Sequence, residues 1–374
     1  MRIKLVHFTS SLKIGGAETV LSSLVEHLAR QNFEQTVVYI HDGPYKETIQ
    51  KVGIPCYQIS GYFFRYDIFF FIRLYRLLKR LKPDGLHTLL WAANCSGRVM
   101  GRMLGIPVVS AMHNNSEQDG LVRNLFDRLT LPAATKIVAV SDEVAAGLPR
   151  RYQGCSALVI IKNGVDFQQI GVRSIQLRKE RALFGFAPDA MVIGAVGRFE
   201  PVKRYDLLLD TFAQLAEQVS RARLLLIGSG SQEFFLREHA ARLGLLGMDQ
   251  KVHFVRDYPA YGYYSLMDIF VQTSDKEGIS LALLEAMSLG VACVVTHAGI
   301  KHPVIMHEKD GLVVRAGDAR SLVKTLAWVA KDQQLRNELG VSARKKVQQE
   351  FSQGGMHEAY THLFVDMTVR RAKI

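Results

Sequence analysis

Glu277 and Glu285 stand eight residues apart in the stretch DKEGISLALLEAMSLG, residues 275–290. On a helix that spacing is a little over two turns, so both carboxylates can face one cavity. Gly278 permits a tight turn and a close approach of backbone to a ligand. A helix starting just beyond it would offer free N–H groups and a positive dipole end, a seat for phosphate. One carboxylate at the mouth and one deeper suit a ligand with hydroxyls and phosphates. Taken alone, the pair has a plainer reading: a loop glutamate and a second on a solvated helix face.

Two cations change the balance. Arg198 and Lys203 lie in GRFEPVK, residues 197–203, directly after the apolar run 191–197. Two cations leaving one strand end can hold a diphosphate, Arg in a bidentate manner. Glycine turns recur at such strand ends: Gly15-Gly16, Gly197 and Gly228. Each lets N–H groups approach an anion, or is merely a tight turn. None completes a dinucleotide fingerprint, which argues against a nicotinamide enzyme. His113 follows another apolar run, 107–112, where parallel sheets place their ligands.

These residues need strand–helix units to hold them. Short apolar runs at 3–8, 35–41, 83–88, 107–112, 137–140 and 158–161 predict strands, with a short one inside 52–59. Helical patterns fall between them, at 19–30 and 96–104 among others. Residues 167–188 turn polar and basic and read as a linker with one helix. A second series of strands follows at 191–197, 223–228, 252–255, 268–273 and 292–296. Gly278 then lies on a strand-to-helix turn, and the helix carries Leu281, Leu284 and Met287 on one face. The fold class is α/β: two Rossmann-like, doubly wound domains whose facing edges form an interdomain cleft. We expect one domain over 1–167 and another over 168–354, with a closing helix at about 355–374 returning to the first.

Composition narrows the function. A chain of 374 residues with 48% hydrophobic residues can build two cores. No apolar run approaches the roughly 20 residues of a membrane span, and no signal peptide is evident. Four scattered cysteines and the series His297, His302, His307 fit no metal-ligand spacing, so no metal is expected. The scattered thiols fit a reducing cytoplasm. A net charge of +12 suits nucleic acid, an anionic membrane or phosphorylated substrates, and no nucleic-acid motif is present. Residues 62–82, YFFRYDIFFFIRLYRLLKRLK, read as a helix with Ile68, Phe71, Tyr75 and Leu78 on one face. Arg65, Phe69, Arg73, Arg76 and Arg80 share another. A basic helix interleaved with aromatics is a candidate for an anionic membrane surface.

GGAE at 15–18, HNN at 113–115, NGVD at 163–166, GRFEPVKRYDLLL from 197, LLIGSG at 225–230 and EGISLALLE at 277–285 occur in a telling order. In that order they resemble the family 4 retaining glycosyltransferases of the GT-B fold. The resemblance covers nearly the whole chain. It implies a metal-independent transfer from a nucleotide sugar, UDP-linked rather than GDP-linked, with no cofactor. Arg198 and Lys203 would neutralise the donor diphosphate, helped by the N–H groups of Ile279 and Ser280 and by Gly197, Gly228, Gly278 and Leu281 around them. Glu277 would bind donor-sugar hydroxyls and Glu285 the ribose. Val255, Arg256 and Tyr261 would line the base loop. His113 would contact the transferred sugar, with Gly15 and Gly16 near the diphosphate. The first domain would bind the acceptor, the second the donor. Tyr205 departs from the pattern, which commonly has a small residue there. The expected reaction adds a hexose or N-acetylhexosamine to a lipid-linked, polysaccharide or lipopolysaccharide acceptor at the inner membrane face. A soluble transferase on a small molecule, a nucleotide-sugar epimerase and a non-catalytic nucleotide-binding protein are the alternatives.

Overall fold

The computed structural model describes residues 2–60, 68–113, 121–247, 249–275, 277–297 and 304–371. In chain order they begin β1 (Ile3–Ser11), α1 (Gly16–Ala29), β2 (Phe33–His41), α2 (Tyr45–Lys51), β3 (Cys56–Gln58) and α3 (Ile68–Leu81). Next come β4 (Gly85–Leu89), α4 (Trp91–Leu104), β5 (Val108–Met112), α5 (Leu121–Thr130), β6 (Lys136–Ala139), α6 (Asp142–Ala146) and β7 (Leu158–Ile160). The middle of the chain forms α7 (Phe167–Gln176), β8 (Met191–Val196), α8 (Tyr205–Gln218), β9 (Ala222–Ile227), α9 (Glu233–Arg242), β10 (Val252–Val255) and α10 (Tyr261–Tyr264). The last part forms β11 (Ile269–Gln272), α11 (Leu281–Ser288), β12 (Ala292–His297), β13 (Leu312–Arg315), α12 (Ala319–Lys331), α13 (Gln333–Glu350) and α14 (Gln353–Arg371).

Two compact units result, residues 1–163 with 354–374, and residues 164–353. The division falls at Asn163–Gly164 because Val165 already belongs to the second unit. Its N–H donates to the Phe351 carbonyl at 2.9 Å, and its carbonyl accepts from Gln353 N–H at 3.1 Å.

The first unit holds a parallel sheet ordered β3-β2-β1-β4-β5-β6-β7. Its strand order reverses between β1 and β4. Alternate residues of β1 serve opposite faces. Val6 and Phe8 pack with Phe70, Leu74 and Leu78 of α3 and Ala93 and Met100 of α4. His7 turns the other way, toward Phe364 of α14. There its Nδ1 lies 3.0 Å from His87 Nδ1, and its Nε2 lies 3.1 Å from Gln35 Oε1. Burial lowers the His7 pKa to about 4 and drives that of His87 well below its ordinary value. The unfolded chain therefore binds protons between about pH 6.5 and 4 that the native unit refuses, so stability falls as pH falls through that window. His7 alone contributes a loss of roughly 3 kcal/mol when the window is crossed. Urea unfolding at pH 7.5 and pH 4.5 measures it; equal stability at both would contradict this account.

The second unit holds a parallel sheet ordered β10-β9-β8-β11-β12-β13, reversing between β8 and β11. One face packs Ile193, Leu224, Val271 and Val294 against Leu208 and Phe212 of α8 and Leu326 of α12. The other packs Val192, Leu225, Phe270 and Val295 against Leu283 and Met287 of α11 and Val347 of α13. Side-chain caps start several helices: Asp166 Oδ1 accepts from Gln169 N–H and Asp318 Oδ1 from Ser321 N–H, each at 2.9 Å.

The structure departs from the sequence reading in four places. Helix α4 starts at Trp91, not at 96, because Leu90 turns the chain with a positive φ of 67°. Strand β13 is additional; four residues are too few to show a period. In α3 the buried residues are Phe70, Leu74, Leu77 and Leu78, while Ile68 is 66% exposed. The core face is thus rotated from the expected Ile68–Phe71–Tyr75–Leu78 row. The open first turn leaves Ile68 and Phe69 outside, and Phe70 reaches the sheet. The segment 167–188 carries a short 3-10 turn, Arg181–Phe184, besides α7. Arg65 lies outside the described residues.

Candidate functional site

In doubly wound sheets the carboxyl ends of the two strands flanking the order reversal leave a crevice for ligands. In the second unit those strands are β8 and β11. The loop after β8 carries Gly197, Arg198 and Lys203; the loop after β11 carries Ser274, Glu277 and Gly278 before α11 begins. The two loops are stitched together. Thr273 Oγ1 donates to the carbonyls of Lys203 and Arg204 at 2.9 and 3.0 Å. Asp275 N–H donates to the Val202 carbonyl at 3.0 Å, and Arg204 Nη1 meets Asp275 Oδ1 at 3.1 Å.

This stitching brings Lys203 and Glu277 together, 74 positions apart in sequence. The Lys203 ammonium is hydrogen-bonded to Glu277 Oε2, which also accepts from Ser274 Oγ at 3.1 Å. Both side chains are partly buried, so the pair is held beside solvent and not within the core. Arg198, on the same loop, is exposed and forms no ion pair among the described residues. Gly278, Ile279 and Ser280 are buried at the start of α11. Ser280 caps the helix, its Oγ accepting from Leu283 N–H at 3.4 Å. A cation, a carboxylate and a helix start thus stand together at one strand end, groups whose chemistry suits phosphate and hydroxyls.

Deeper in the same helix, Glu285 accepts a 2.7 Å hydrogen bond from the Tyr264 hydroxyl. Burial raises its pKa to about 7, and the tyrosine bond opposes the shift. Tyr261 stands near enough that the Glu285 charge, second to burial, raises its pKa. Arg173 lies 5.7 Å over the Tyr261 ring. Tyr261 and Glu285 therefore form one group. Arg256 is turned elsewhere: its Nε meets both Glu233 oxygens at 2.8 Å, clamping the start of α9. Burial would raise the Glu233 pKa, but Arg256 and Arg237 outweigh it and the net shift is downward. Val255 ends β10 half-buried, its carbonyl accepting from Gly228 N–H at 2.8 Å.

Gly228 has a packing role of its own. With φ at 148°, a Cβ there would collide with the Gly197 carbonyl oxygen. The two glycine loops lie backbone to backbone, joined by Phe199 N–H donating to the Ser229 carbonyl at 2.9 Å. The second loop props the first, the one bearing Arg198 and Lys203.

Sequence reasoning treated Tyr205 only as a departure. The structure buries it at the start of α8, its hydroxyl beside Gly197. Burial first, then the Glu277 charge, raises its pKa. Tyr205 thus backs the site, and its placement four residues after Pro201 on a loop-to-helix turn was the available signal. Ser274 and Tyr264 were likewise missed, since hydroxyls of this kind carry no spacing rule.

In the first unit the order reversal lies between β1 and β4, and the Gly15–Gly16 turn follows β1. Gly15 is extended, with φ at −175°, a conformation open to any residue; Gly16 opens α1. His113 follows β5. Its Nε2 is buried without a hydrogen-bond partner among the described residues, and burial lowers its pKa to about 4. It is neutral at pH 7. Among the described residues no three His, Cys, Asp or Glu side chains gather as a metal-binding group.

Two doubly wound parallel units, one with an Arg/Lys loop and paired glutamates at its order reversal, define a two-domain Rossmann-like α/β protein. The chain matches the family described as Glycosyl transferases group 1 over residues 178–346 and that described as Glycosyltransferase Family 4 over residues 14–169. The chain belongs to these glycosyltransferases, which have the GT-B fold. It is similar to UDP-Gal:alpha-D-GlcNAc-diphosphoundecaprenol alpha-1,3-galactosyltransferase of Escherichia coli, 24% identical over 99% of this chain and 98% of the relative. It is also similar to N-acetyl-alpha-D-glucosaminyl L-malate synthase of Bacillus anthracis, 23% identical over 98% of each. Among solved structures, Anabaena HepE in complex with UDP-glucose superposes with a TM-score of 0.83 at 20% identity, over 98% of this chain and 100% of the other.

Proposed function

We propose that this glycosyltransferase moves a hexose or N-acetylhexosamine from a UDP-sugar, with retained anomeric configuration, to a lipid-linked or lipopolysaccharide-type acceptor. The work is done at the cytoplasmic face of the cell membrane. The observation that carries the reading is the Lys203–Glu277 pair beside exposed Arg198 and the start of α11. A diphosphate takes over the Lys203 ammonium and engages Arg198, which releases Glu277 to accept from sugar hydroxyls. The N–H groups of Ile279 and Ser280 add to the positive field. Glu285 accepts from the ribose, Tyr261 borders the base, and His113 bonds a sugar hydroxyl.

The bond from the anomeric carbon to the diphosphate oxygen breaks, and its electron pair leaves with the diphosphate. The acceptor hydroxyl oxygen attacks from the same face. Its proton passes to the departing diphosphate, so configuration is retained without a protein nucleophile on the opposite face. The E. coli relative is named for transfer from UDP-Gal to a diphosphoundecaprenol-linked sugar, and the HepE complex holds UDP-glucose. Both favour a uridine donor, and the first favours a lipid-linked acceptor.

Helix α3 supplies the membrane part. Arg73, Arg76, Lys79 and Arg80 are exposed along it, together with Ile68, Phe69 and Ile72. Among the described residues no helix is long and apolar enough to cross a membrane. Flotation with phosphatidylglycerol vesicles at low salt tests this clause. Wild type is expected to float and an Arg73→Glu/Arg76→Glu/Arg80→Glu variant to sediment; flotation of both would remove α3 from the account.

The donor is tested by thermal shift with UDP-, GDP- and ADP-sugars. At 100 times its dissociation constant, the true donor stabilises by about 2.7 kcal/mol. No stabilisation by any UDP-sugar would reject the uridine reading.

Glu285 adds a pH signature. Ribose hydroxyls donate to the carboxylate form, which is lost as pH falls through about 7. UDP-glucose affinity is expected to weaken about tenfold between pH 8 and pH 6. Tyr264→Phe removes the bond that holds the pKa down, so its profile moves to higher pH. A flat profile in both proteins would exclude Glu285 as the ribose acceptor.

A further inference from the structure

Helices α4 and α5 carry a feature that the transfer reaction does not use. They lie side by side and run in the same direction. At their starts Trp91 Nε1 donates to the Arg123 carbonyl at 3.1 Å. Midway, Arg98 pairs with Asp127, and further on Arg98 Nη1 reaches Thr130 Oγ1 at 3.4 Å. Beyond this polar seam the helices part around a groove of about 530 Å³, whose lining includes Val99, Met103, Leu129, Pro132 and Arg102. That volume lies within the range of small-molecule sites.

The outer face of α5 continues the groove. Val122, Leu125 and Leu129, at i, i+3 and i+7, form one row and are 50, 56 and 66% exposed. Met103 on α4 is 64% exposed. An exposed apolar row beside a groove is the kind of surface that a partner or ligand can cover. The row is about 10 Å long and ends at Val122, near the start of α4. At the other end stands one cation. Arg102 lines the groove, is exposed, and has no ion pair among the described residues. Asp127, the acid on the inner side of α5, is buried against Arg98.

We propose that the α4–α5 groove seats one anionic lipid, its phosphate on Arg102 and its hydrocarbon chain laid along Met103, Leu129, Leu125 and Val122. Charge complementarity and apolar length together select this occupant. A second copy of this chain would have to bring an anion and a matching ridge, and a sugar would leave the apolar row exposed. The groove is separate from the basic face of α3, so the two can succeed or fail independently.

The experiment uses soluble probes with the full chain. Calorimetric titration compares dodecyl phosphate, kept below its micelle concentration, with butyl phosphate and with neutral dodecyl maltoside. Dodecyl phosphate is expected to bind at least about tenfold more tightly than either, since both chain and charge contribute. Leu125→Asp/Leu129→Asp and, separately, Arg102→Gln are each expected to weaken it about tenfold or more. All three positions are exposed, so the melting temperature should not change. Equal binding of the three probes would overturn the proposal, as would wild-type affinity in both variants. A protein that self-associates through this face, becoming monomeric only in the Asp variant, would overturn it in favour of a dimer. The α3 flotation result reads separately: lost vesicle binding with dodecyl phosphate affinity intact leaves this groove standing.

Discussion

Lys203→Ala is expected to lower turnover by about 10²–10³-fold, the cost of removing one preorganised charge from a developing anion. The ammonium is fixed before any ligand arrives. Its loop is pinned by Thr273 to the end of β11, and it is bonded to Glu277. Donor binding exchanges Glu277 for the diphosphate on that ammonium, so no further move is needed when the leaving group gathers charge. Lys203→Arg should recover part of the loss, since it restores charge on a different geometry. Glu277→Ala should also lower turnover while leaving affinity for free UDP nearly unchanged, because UDP has no transferred sugar to bind. The alternative is that the pair merely glues two loops. In that case either variant lowers the melting temperature and turnover per folded molecule stays near wild type. Steady-state kinetics with a thermal melt on each variant separates the two, and unaltered turnover in Lys203→Ala would end the diphosphate account.

Asp127→Ala is expected to destabilise the protein by about 3–5 kcal/mol, because it strands a guanidinium in the core. Arg98 is fully buried, and Asp127 is its only carboxylate partner among the described residues. Arg98 also donates to Ser110 Oγ at 2.9 Å, but a neutral hydroxyl does not offset a buried charge. For a unit of this size the melting temperature should drop by roughly 2–4 °C per kcal/mol. Replacing both charges, Arg98→Met with Asp127→Leu, should cost far less, because no charge remains and Ser110 keeps its bond from Thr88 Oγ1 at 3.1 Å. Urea unfolding of the two variants beside wild type is the measurement. A single variant as stable as wild type would mean that water reaches Arg98.

Much of this was legible in the chain. Parallel strands buried on both faces are continuous apolar runs, so β1, β5, β8 and β11 announced themselves to within a few residues. Gly197, Arg198, Lys203, Glu277 and Gly278 were singled out because such sheets place glycine turns and charged residues at their strand ends. The basic row of α3 was legible as composition. Its buried face was not, because Ile68, Phe70, Phe71 and Leu74 are all apolar and periodicity cannot rank them. The partner of Arg256 was not legible either: Glu233, 23 positions earlier, holds it. Tyr205 looked like a departure, and the fold puts its ring behind Gly197.

The sequence by itself determined the alternation of strand and helix, the two doubly wound units and the identity of the charged residues at their strand ends. Apolar patterning and turn residues act locally, within reach of a single segment. Only the tertiary structure decided that Lys203 bonds Glu277, that Tyr264 holds Glu285, that Gly228 props Gly197 and that His7 faces His87. Those pairs are made by strand order, which places β11 beside β8 and β4 beside β1. Strand order follows from how whole layers bury their faces, a property no single segment carries.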